Sequence, residues 1–318
     1  MDLRQLQYFS RIAESGSFRE AAARANVAQS ALSRHMRALE EELGVTLMDR
    51  HARGIRLTPE GEKLKRRADS ILREVEDTRA EMTATSASPR GTVTVGASPT
   101  TSRLLYARLA EATYERFPGI DLRMTEGASY FLLEGMDTGR VDLAIMVNPE
   151  DRDYLSTEEL VTEKVYLVGS PGHAEMPPSP CSVTDLAGRP MVLYSRPSGG
   201  RTQLENVAAA HNVAIDARFE AGSPDVIKDF VRRGLAYAMM PYSSVFREVE
   251  RGELIVSEFD GFELTRTFIR RTDRPSTPAA DAIADQIRDA FKAMAAEGVF
   301  GTQAQYPKPR SRSLDSDA

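Results

Sequence analysis

One alanine-rich stretch constrains the fold of this chain more than any other part of it. The sequence SFREAAARANVAQSALSRHMRALEEELG, from Ser17 to Gly44, has helical spacing that breaks once, at Asn26-Val27. Ser17 with Glu20 three residues later is the capping-box arrangement that begins a helix. An earlier helical pattern, formed by Leu6, Phe9, Ile12 and Ala13, ends just before this stretch. The sequence therefore predicts three short helices joined by tight turns.

The third of these helices has two different faces. At about 100° per residue, its apolar side chains fall in one narrow arc, formed by Leu32, Met36, Leu39 and Leu43. Its polar side chains share an arc of roughly 140°, formed by Gln29, Ser30, Ser33, Arg34 and Arg37. Amide, hydroxyl and guanidinium groups pair with base edges, and a protruding helix fits the major groove. An ordinary solvated helix face is the alternative interpretation.

The segment MDRHARGIRLTPEG follows and has the composition of a β-wing. Basic side chains surround Gly54, namely Arg50, His51, Arg53 and Arg56. Such a wing suits contacts with phosphates or with the minor groove. Residues 1–90 hold 16 Lys and Arg against 14 Asp and Glu, whereas the remainder holds 25 against 33. This asymmetry agrees with a nucleic-acid-binding N-terminus but supports it only weakly.

Residues Met1 to about Glu62 resemble the winged helix-turn-helix of LysR-type transcriptional regulators, through FREAAARANVAQSALSRHMRALEEELGVTLMDRHARGIRLTPEG. The family usually has Phe where Met48 stands, which is a substitution in the core. The resemblance implies that major-groove contacts come from Gln29, Ser30, Ser33 and Arg34. It also implies that Arg53 serves the wing, and Arg37 and Arg50 complete the predicted DNA-binding set. Double-stranded promoter DNA is the expected partner.

Thr58-Pro59 is a good helix start, and it opens a charged helix that runs to about Ala84. Its apolar positions alternate by four and three residues, which is a heptad seam: Leu64, Ala68, Ile71, Val75, Thr78 and Met82. The spacing predicts that two copies pair along it, although an amphipathic helix lying on its own domain is the alternative. A dimer would present two recognition helices to a two-fold DNA site. A tetramer is the usual assembly of the family that the chain resembles.

The Ser/Pro/Gly-rich sequence TSASPRGT marks a domain boundary. After it, strand-like and helical runs alternate in βαβαβ order, which predicts a parallel sheet, and a second such set follows with LIVSEF and TRTFIRR as separate strands. The predicted fold is multidomain. It has an all-α winged helix-turn-helix (1–58) with a long dimerisation helix (59–84), then a hinge (85–91) and a two-lobed α/β effector domain (92–300). Residues 301–318 are expected to be a disordered tail. The family resemblance extends to about residue 297 and implies a type 2 periplasmic-binding-protein-like effector domain.

Polar loops follow several predicted strands of the larger domain. Ligands in open α/β sheets sit at the carboxyl ends of strands, beside helix N-termini. The family resemblance implies that these loops hold a small effector, often a carboxylate. The candidate residues are Ser98, Thr100, Thr101, Ser129, Ser195, Arg196, Arg201 and Pro224. Ordinary helix capping is the alternative role for the hydroxyls, and surface solvation is the alternative for the two arginines.

The composition bears on other function classes. One cysteine, Cys181, and four histidines without metal-ligand spacing predict neither a disulfide nor a metal site, and no GxSxG, Walker or GxGxxG pattern predicts an enzyme or a cofactor. Charges interrupt the N-terminus, and no run is apolar enough for a membrane span, so we expect a cytoplasmic protein. RNA polymerase is a further candidate partner. A small-ligand, solute-binding-like protein whose N-terminal helices serve oligomerisation is the remaining alternative.

Overall fold

The computed structural model describes residues 1–51, 54–83, 88–149, 152–172, 175–301 and 304, without the side chains of residues 50, 77, 80, 81 and 83. The first structural unit contains three short helices, a two-stranded hairpin and a long helix. These are α1 (Leu3–Ser15), α2 (Phe18–Ala25), α3 (Gln29–Leu43), β1 (Met48–His51), β2 (Gly54–Leu57) and α4 (Pro59–Thr83). The predicted helices and wing are confirmed. Ala84 and residues 85–87 of the predicted hinge lie outside the described residues.

Turn chemistry sets the boundaries of the first helices. Gly16 and Asn26 end α1 and α2 in the left-handed conformation, with φ of 63° and 53°. The side chain of Ser17 accepts from the Glu20 N–H at 3.4 Å, as a helix cap does. The reciprocal half of the predicted capping box is not formed, because the Glu20 carboxylate pairs with Arg24 instead, at 2.6 Å.

The core of the first unit comes from one face of each helix. Its fully or almost fully buried side chains include Leu6, Phe9, Ile12, Leu32, Met36, Leu39 and Leu47. Met48 belongs to the same core, as the sequence predicts. Leu43 was expected there and is exposed instead, because it lies in the last turn of α3, directly before the C-cap Gly44. Gly61 is required at the start of α4, since a Cβ there would lie 2.0 Å from the Leu47 carbonyl oxygen.

The second structural unit is α/β. Its strands are β3 (Gly91–Ala97), β4 (Ile120–Glu126), β5 (Leu143–Val147), β6 (Leu155–Gly169), β7 (Pro190–Tyr194), β8 (Asp216–Ala221), β9 (Ala238–Pro241) and β10 (Ile255–Arg271). Its helices are α5 (Pro99–Arg116), α6 (Ser129–Asp137), α7 (Gly199–Ala210), α8 (Pro224–Arg232), α9 (Phe246–Glu250) and α10 (Pro278–Ala296). Short 3-10 turns lie at Val183–Leu186 and Tyr242–Ser244.

The sheets are only partly parallel. Six strands pair in the order β4-β3-β5-β10-β6-β9, and β7 and β8 form a separate parallel pair. The predicted parallel pairing is confirmed for β3 with β4 and β5 and for β7 with β8. It is wrong for β6, β9 and β10, which pair antiparallel. The two strands predicted separately as LIVSEF and TRTFIRR are one 17-residue strand, β10, interrupted by a register shift between Glu258 and Glu263.

Two long strands, β6 and β10, run through two lobes. The first lobe packs β3–β5, α5, α6 and α10 around a core that includes Val95, Leu105, Ile145, Phe268, Ile287 and Phe291. The second lobe packs β7–β9, α7 and α8 around a core that includes Leu167, Leu193, Leu204, Ile227, Met240 and Phe259. Val299 and Phe300 are buried in the first lobe. In the predicted tail only Gly301 and Ala304 are described.

Candidate nucleic-acid interface and ligand cleft

The polar face of α3 points away from the first unit. Leu32, Met36 and Leu39 bury the other face against α1 and α2. The outward residues are Gln29, Ser30, Arg34 and Arg37, which are exposed, and Ser33, which is half-buried. The structure thus brings five of the predicted DNA-binding residues to one surface. Ala28 caps α3 without a side-chain hydrogen bond, which sequence reasoning missed and which favours anion contacts at the first turn.

The wing is an antiparallel hairpin of β1 and β2, with Asp49 opposite Arg56 and His51 opposite Gly54. Arg50 lies on β1 opposite Ile55, and its side chain is outside the described residues. Arg53 lies outside the described residues altogether. Arg56 is exposed on β2 and adds a positive charge to this edge of the unit.

The predicted dimerisation seam on α4 changes character along its length. Ala68 is fully buried in the core of its own unit, and Leu64 packs against the same core. The predicted seam is therefore wrong at these two positions, because α1 already covers them. Farther along, Ile71 is 39% exposed and Met82 is 74% exposed, whereas Val75 is half-buried and Thr78 is exposed. Only this second part of the heptad remains available for a partner helix.

A charged contact joins α4 to the first lobe. Arg73 on α4 donates from Nη1 to Thr94 Oγ1 at 3.1 Å and lies 3.6 Å from the Asp142 carboxylate. Asp142 also accepts from the Thr94 N–H at 2.8 Å and pairs with Arg274 at 3.3 Å. Burial raises the pKa of the Asp142 carboxyl, although these partners oppose the shift. The long helix is thus docked on the domain that it precedes.

At the junction of the lobes lies an arginine that sequence reasoning missed. Arg266 on β10 is completely buried, and its Nε donates to Glu163 Oε1 on β6 at 2.7 Å. Its Nη1 donates to Thr100 Oγ1 at 3.2 Å and to Thr101, and its Nη2 donates to Ser243 Oγ at 2.9 Å. One guanidinium thus holds the start of α5 in the first lobe against the turn at Tyr242–Ser244. A lone Arg inside a strand pattern carries no local signal of this role.

This network changes the interpretation of the first predicted effector loop. Thr101 is completely buried and hydrogen-bonds both to Arg266 and to Ser98, so its predicted contact with an effector is wrong. Thr100 and Ser98 are half-buried at the N-terminus of α5, where Thr100 also accepts from Arg266 and Ser98 hydrogen-bonds to Thr101 at 2.9 Å. Ser129, also half-buried, begins α6 at the neighbouring strand end, where the Gly127 N–H bonds to the Ala97 carbonyl.

The loop after β7 likewise contains some predicted effector residues that are occupied by internal contacts and others that are exposed. Arg201 is buried and binds Glu205 at 2.8 Å, Glu220 at 2.8 Å and the Tyr194 carbonyl at 3.0 Å. Its predicted pairing with an effector carboxylate is therefore wrong, since two internal carboxylates occupy its guanidinium. Arg196 is exposed and pairs with Glu205 at 2.5 Å, and Ser195 is exposed beside it. Pro224 is buried as the first residue of α8 and shapes that turn.

Other site classes find no support in the described part of the chain. Among those residues, no group of three or more His, Cys, Asp or Glu side chains could hold a metal ion. None of the described helices combines the length and apolar content that crossing a membrane requires. Cys181 is buried in the second-lobe core, and burial raises the pKa of its thiol.

Family models match both structural units. The model described as bacterial regulatory helix-turn-helix protein, lysR family, matches residues 3–62, and the LysR substrate binding domain matches residues 86–292. The chain belongs to the LysR family. This LysR-family chain is a DNA-binding transcriptional regulator with an effector-binding domain, so the solute-binding-like alternative is discarded.

Relatives of the whole chain carry regulator names. The chain is 28% identical over 303 residues to the HTH-type transcriptional regulator BbuR of Bordetella bronchiseptica, covering 94% of this chain and 92% of that protein. It is 31% identical over 252 residues to the regulator CrgA of Neisseria meningitidis serogroup C, covering 79% and 83%. The solved structure of full-length CbnR with its target DNA has the same fold, with a TM-score of 0.53 and 21% identity over 92% of this chain and 100% of that one.

Proposed function

We propose that this LysR-family regulator reads specific bases of promoter DNA with the outward face of α3, and that a small effector between the lobes modulates this binding. One observation carries the proposal: α3 buries Leu32, Met36 and Leu39 in the first unit while its amide, hydroxyl and guanidinium groups face outward. The relative CbnR, which was solved with its target DNA, supports the same use of the fold.

Within α3, the roles follow from side-chain chemistry. Gln29 suits adenine, and Arg34 suits the O6 and N7 atoms of guanine. Ser30 and Ser33 suit either a base or a phosphate, and Arg37, farther along the helix, suits the backbone. Arg53 and Arg50 of the wing would add phosphate or minor-groove contacts. Paired copies of α3 would then read two related half-sites.

The effector would bind where the strand ends of the two lobes meet. Ser98, Thr100 and Ser129 supply hydroxyls from the first lobe, and Ser195 and Arg196 supply a hydroxyl and a positive charge from the second. This donor-rich lining favours a small carboxylate. A ligand changes the lobe arrangement only if it binds two arrangements with different affinity. Because Arg73 ties α4 to the first lobe, such a change would reach the paired DNA-binding units.

The assembly is proposed to be a homodimer through the exposed part of α4, or a homotetramer built from such dimers. Binding of promoter DNA requires the protein to act in the cytoplasm, where RNA polymerase is the further partner for activation. DNA reading and effector binding need neither a catalytic step nor a cofactor.

DNA footprinting over a panel of small metabolites tests effector control. Full-length protein is bound to its operator, and the protected bases are mapped with each compound in turn. We expect at least one small carboxylate to change the extent or affinity of protection. Identical footprints and affinities across a broad panel would contradict modulation by an effector.

A further inference from the structure

An ion pair joins the two lobes across the cleft. Arg103 on α5, in the first lobe, pairs with Asp225 in the first turn of α8, in the second lobe. The two side chains are 43% and 59% exposed, so water and dissolved ions reach them. Arg103 is one helical turn beyond Thr100, one of the half-buried effector candidates. Because exposed pairs are weak, dissolved anions can compete for this contact.

Two buried hydroxyls lie in the same region. Tyr194 Oη and Ser244 Oγ have no hydrogen-bond partner in the described part of the chain. Burial raises the pKa of the Tyr194 phenol, while the nearby charges of Arg266 and Arg103 oppose the shift. Ser244 directly follows Ser243, which accepts from Arg266. Buried hydroxyls without partners are uncommon in native structures, and each such group calls for an explanation.

Asp225 has other support when it leaves Arg103. Its carboxylate lies 3.4 Å from Lys228 Nζ, and Lys228 is buried against Glu248 at 2.5 Å. Its position in the first turn of α8 is also favourable, because the helix dipole stabilises negative charge there. Arg103, by contrast, has Asp225 as its ion-pair partner in the described residues. If another anion replaces Asp225 at Arg103, Lys228 and the helix dipole therefore still compensate the negative charge of Asp225.

We propose that Asp225 is an internal competitor that holds Arg103, and that a carboxylate of the effector displaces it and accepts a hydrogen bond from Tyr194 Oη. This inference rests on the proposed function and assigns the regulation of the same cleft. The contact between α5 and α8 is broken when the effector binds, so the lobes are released from one another at this point. A neutral amide of the same shape cannot displace Asp225, since it brings no negative charge to Arg103.

Acetate, the smallest stable carboxylate, is the probe for this exchange, and acetamide is its neutral counterpart. Binding is measured by the line broadening of carbon-13 acetate and by the shift in Tm of the full-length protein, at constant ionic strength. The variants are Asp225→Ala, Tyr194→Phe, and Asp225→Ala combined with Arg103→Gln. Glu297→Ala is the matched control, because it removes the carboxylate that pairs with another exposed arginine of α5, Arg108.

Asp225→Ala is expected to bind acetate about two- to fivefold more tightly than the unaltered protein, because one exposed ion pair no longer competes. The added Arg103→Gln should abolish this binding, and Tyr194→Phe should weaken it without loss of fold, since only a hydroxyl without a partner is removed. The proposal is overturned if Asp225→Ala binds no acetate. It is also overturned if both Asp225→Ala and Glu297→Ala bind acetate with the same affinity as the unaltered protein. A response to acetamide equal to that to acetate would also overturn it.

Binding of genomic DNA by the same proteins, without acetate, separates this inference from the proposed function. Loss of DNA binding in every protein, including the unaltered one, would end the proposed function. The acetate comparison would still decide whether Asp225 competes for Arg103, because it is made without DNA.

Discussion

Arg266 and Glu163 form an ion pair at 2.7 Å, completely shielded from solvent, that joins the two long strands crossing between the lobes. The other oxygen of Glu163 accepts from the Ser243 N–H at 3.2 Å. The remaining donors of Arg266 reach hydroxyls from both sides of the cleft. A buried pair satisfied in this way holds one specific arrangement of the groups around it.

Replacing Arg266 with Met should cost about 3–5 kcal/mol of unfolding free energy, because Glu163 would remain buried without its partner. Adding Glu163→Leu should recover much of that loss, since an apolar pair of similar volume needs no compensation. Urea unfolding of the three proteins measures the difference. Equal stability of the single and double variants would show that a buried Glu163 without its partner carries no such cost.

The carboxyl of Asp142 should make stability depend on pH. Burial raises its pKa in the folded protein above the ordinary 3.8, so the folded state binds this proton more tightly than the unfolded state does. The contribution to stability is therefore present at low pH and is lost as pH rises through the raised pKa. Asp142→Asn removes this titration, so the unfolding free energy of the unaltered protein should rise relative to the variant as pH falls from neutral. A constant difference would contradict the expected shift.

Arg201 and Arg196 should behave differently although they lie five residues apart. Arg201→Ala removes charged hydrogen bonds to Glu205, Glu220 and the Tyr194 carbonyl, and it should cost about 1.5–3 kcal/mol of stability. Arg196→Ala changes an exposed side chain and should stay within about 0.5 kcal/mol. Thermal unfolding compares the two. Similar stability of both variants would refute the structural role of Arg201.

Dimer formation should depend on the exposed part of α4. Ile71→Glu places a charge on the predicted seam and should shift the protein towards monomer in sedimentation velocity. Arg67→Gln is the matched control, because it changes the net charge by the same amount at an exposed position on the same helix. If Ile71→Glu sediments as the control does, the partner helix does not pack at this position.

The fold of the first unit can be predicted closely from the sequence, because its turns and helical periodicity depend on residues that are near one another in the chain. Gly16 and Asn26 mark the helix ends, and the apolar spacing of α3 identifies its buried face. The heptad on α4 is misleading at Ala68, because the same spacing serves packing against α1. Periodicity alone does not say which helix covers an apolar position.

The second unit is less predictable, because its decisive contacts join distant parts of the chain. The pairing of β10 with both β5 and β6 depends on crossovers that no local pattern encodes. Thr101 and Arg201 have the residue types of a ligand site, yet Arg266 and two internal carboxylates occupy them. Arg266 itself lies in the strand-like run TRTFIRR, and this pattern is equally consistent with an exposed side chain at that position.

Base reading by α3 is tested most directly by sequencing the genomic fragments that the purified full-length protein retains at physiological salt, where non-specific phosphate binding is weak. The unaltered protein is compared with a variant that has alanine at Gln29, Ser30, Ser33 and Arg34. Arg251→Ala controls for the loss of one exposed positive charge. We expect a few fragments with an inverted repeat to be enriched by the unaltered protein and the control, and lost by the α3 variant. Retention of the same fragments by the α3 variant, or no enrichment by any of the three proteins, would contradict DNA reading by this helix.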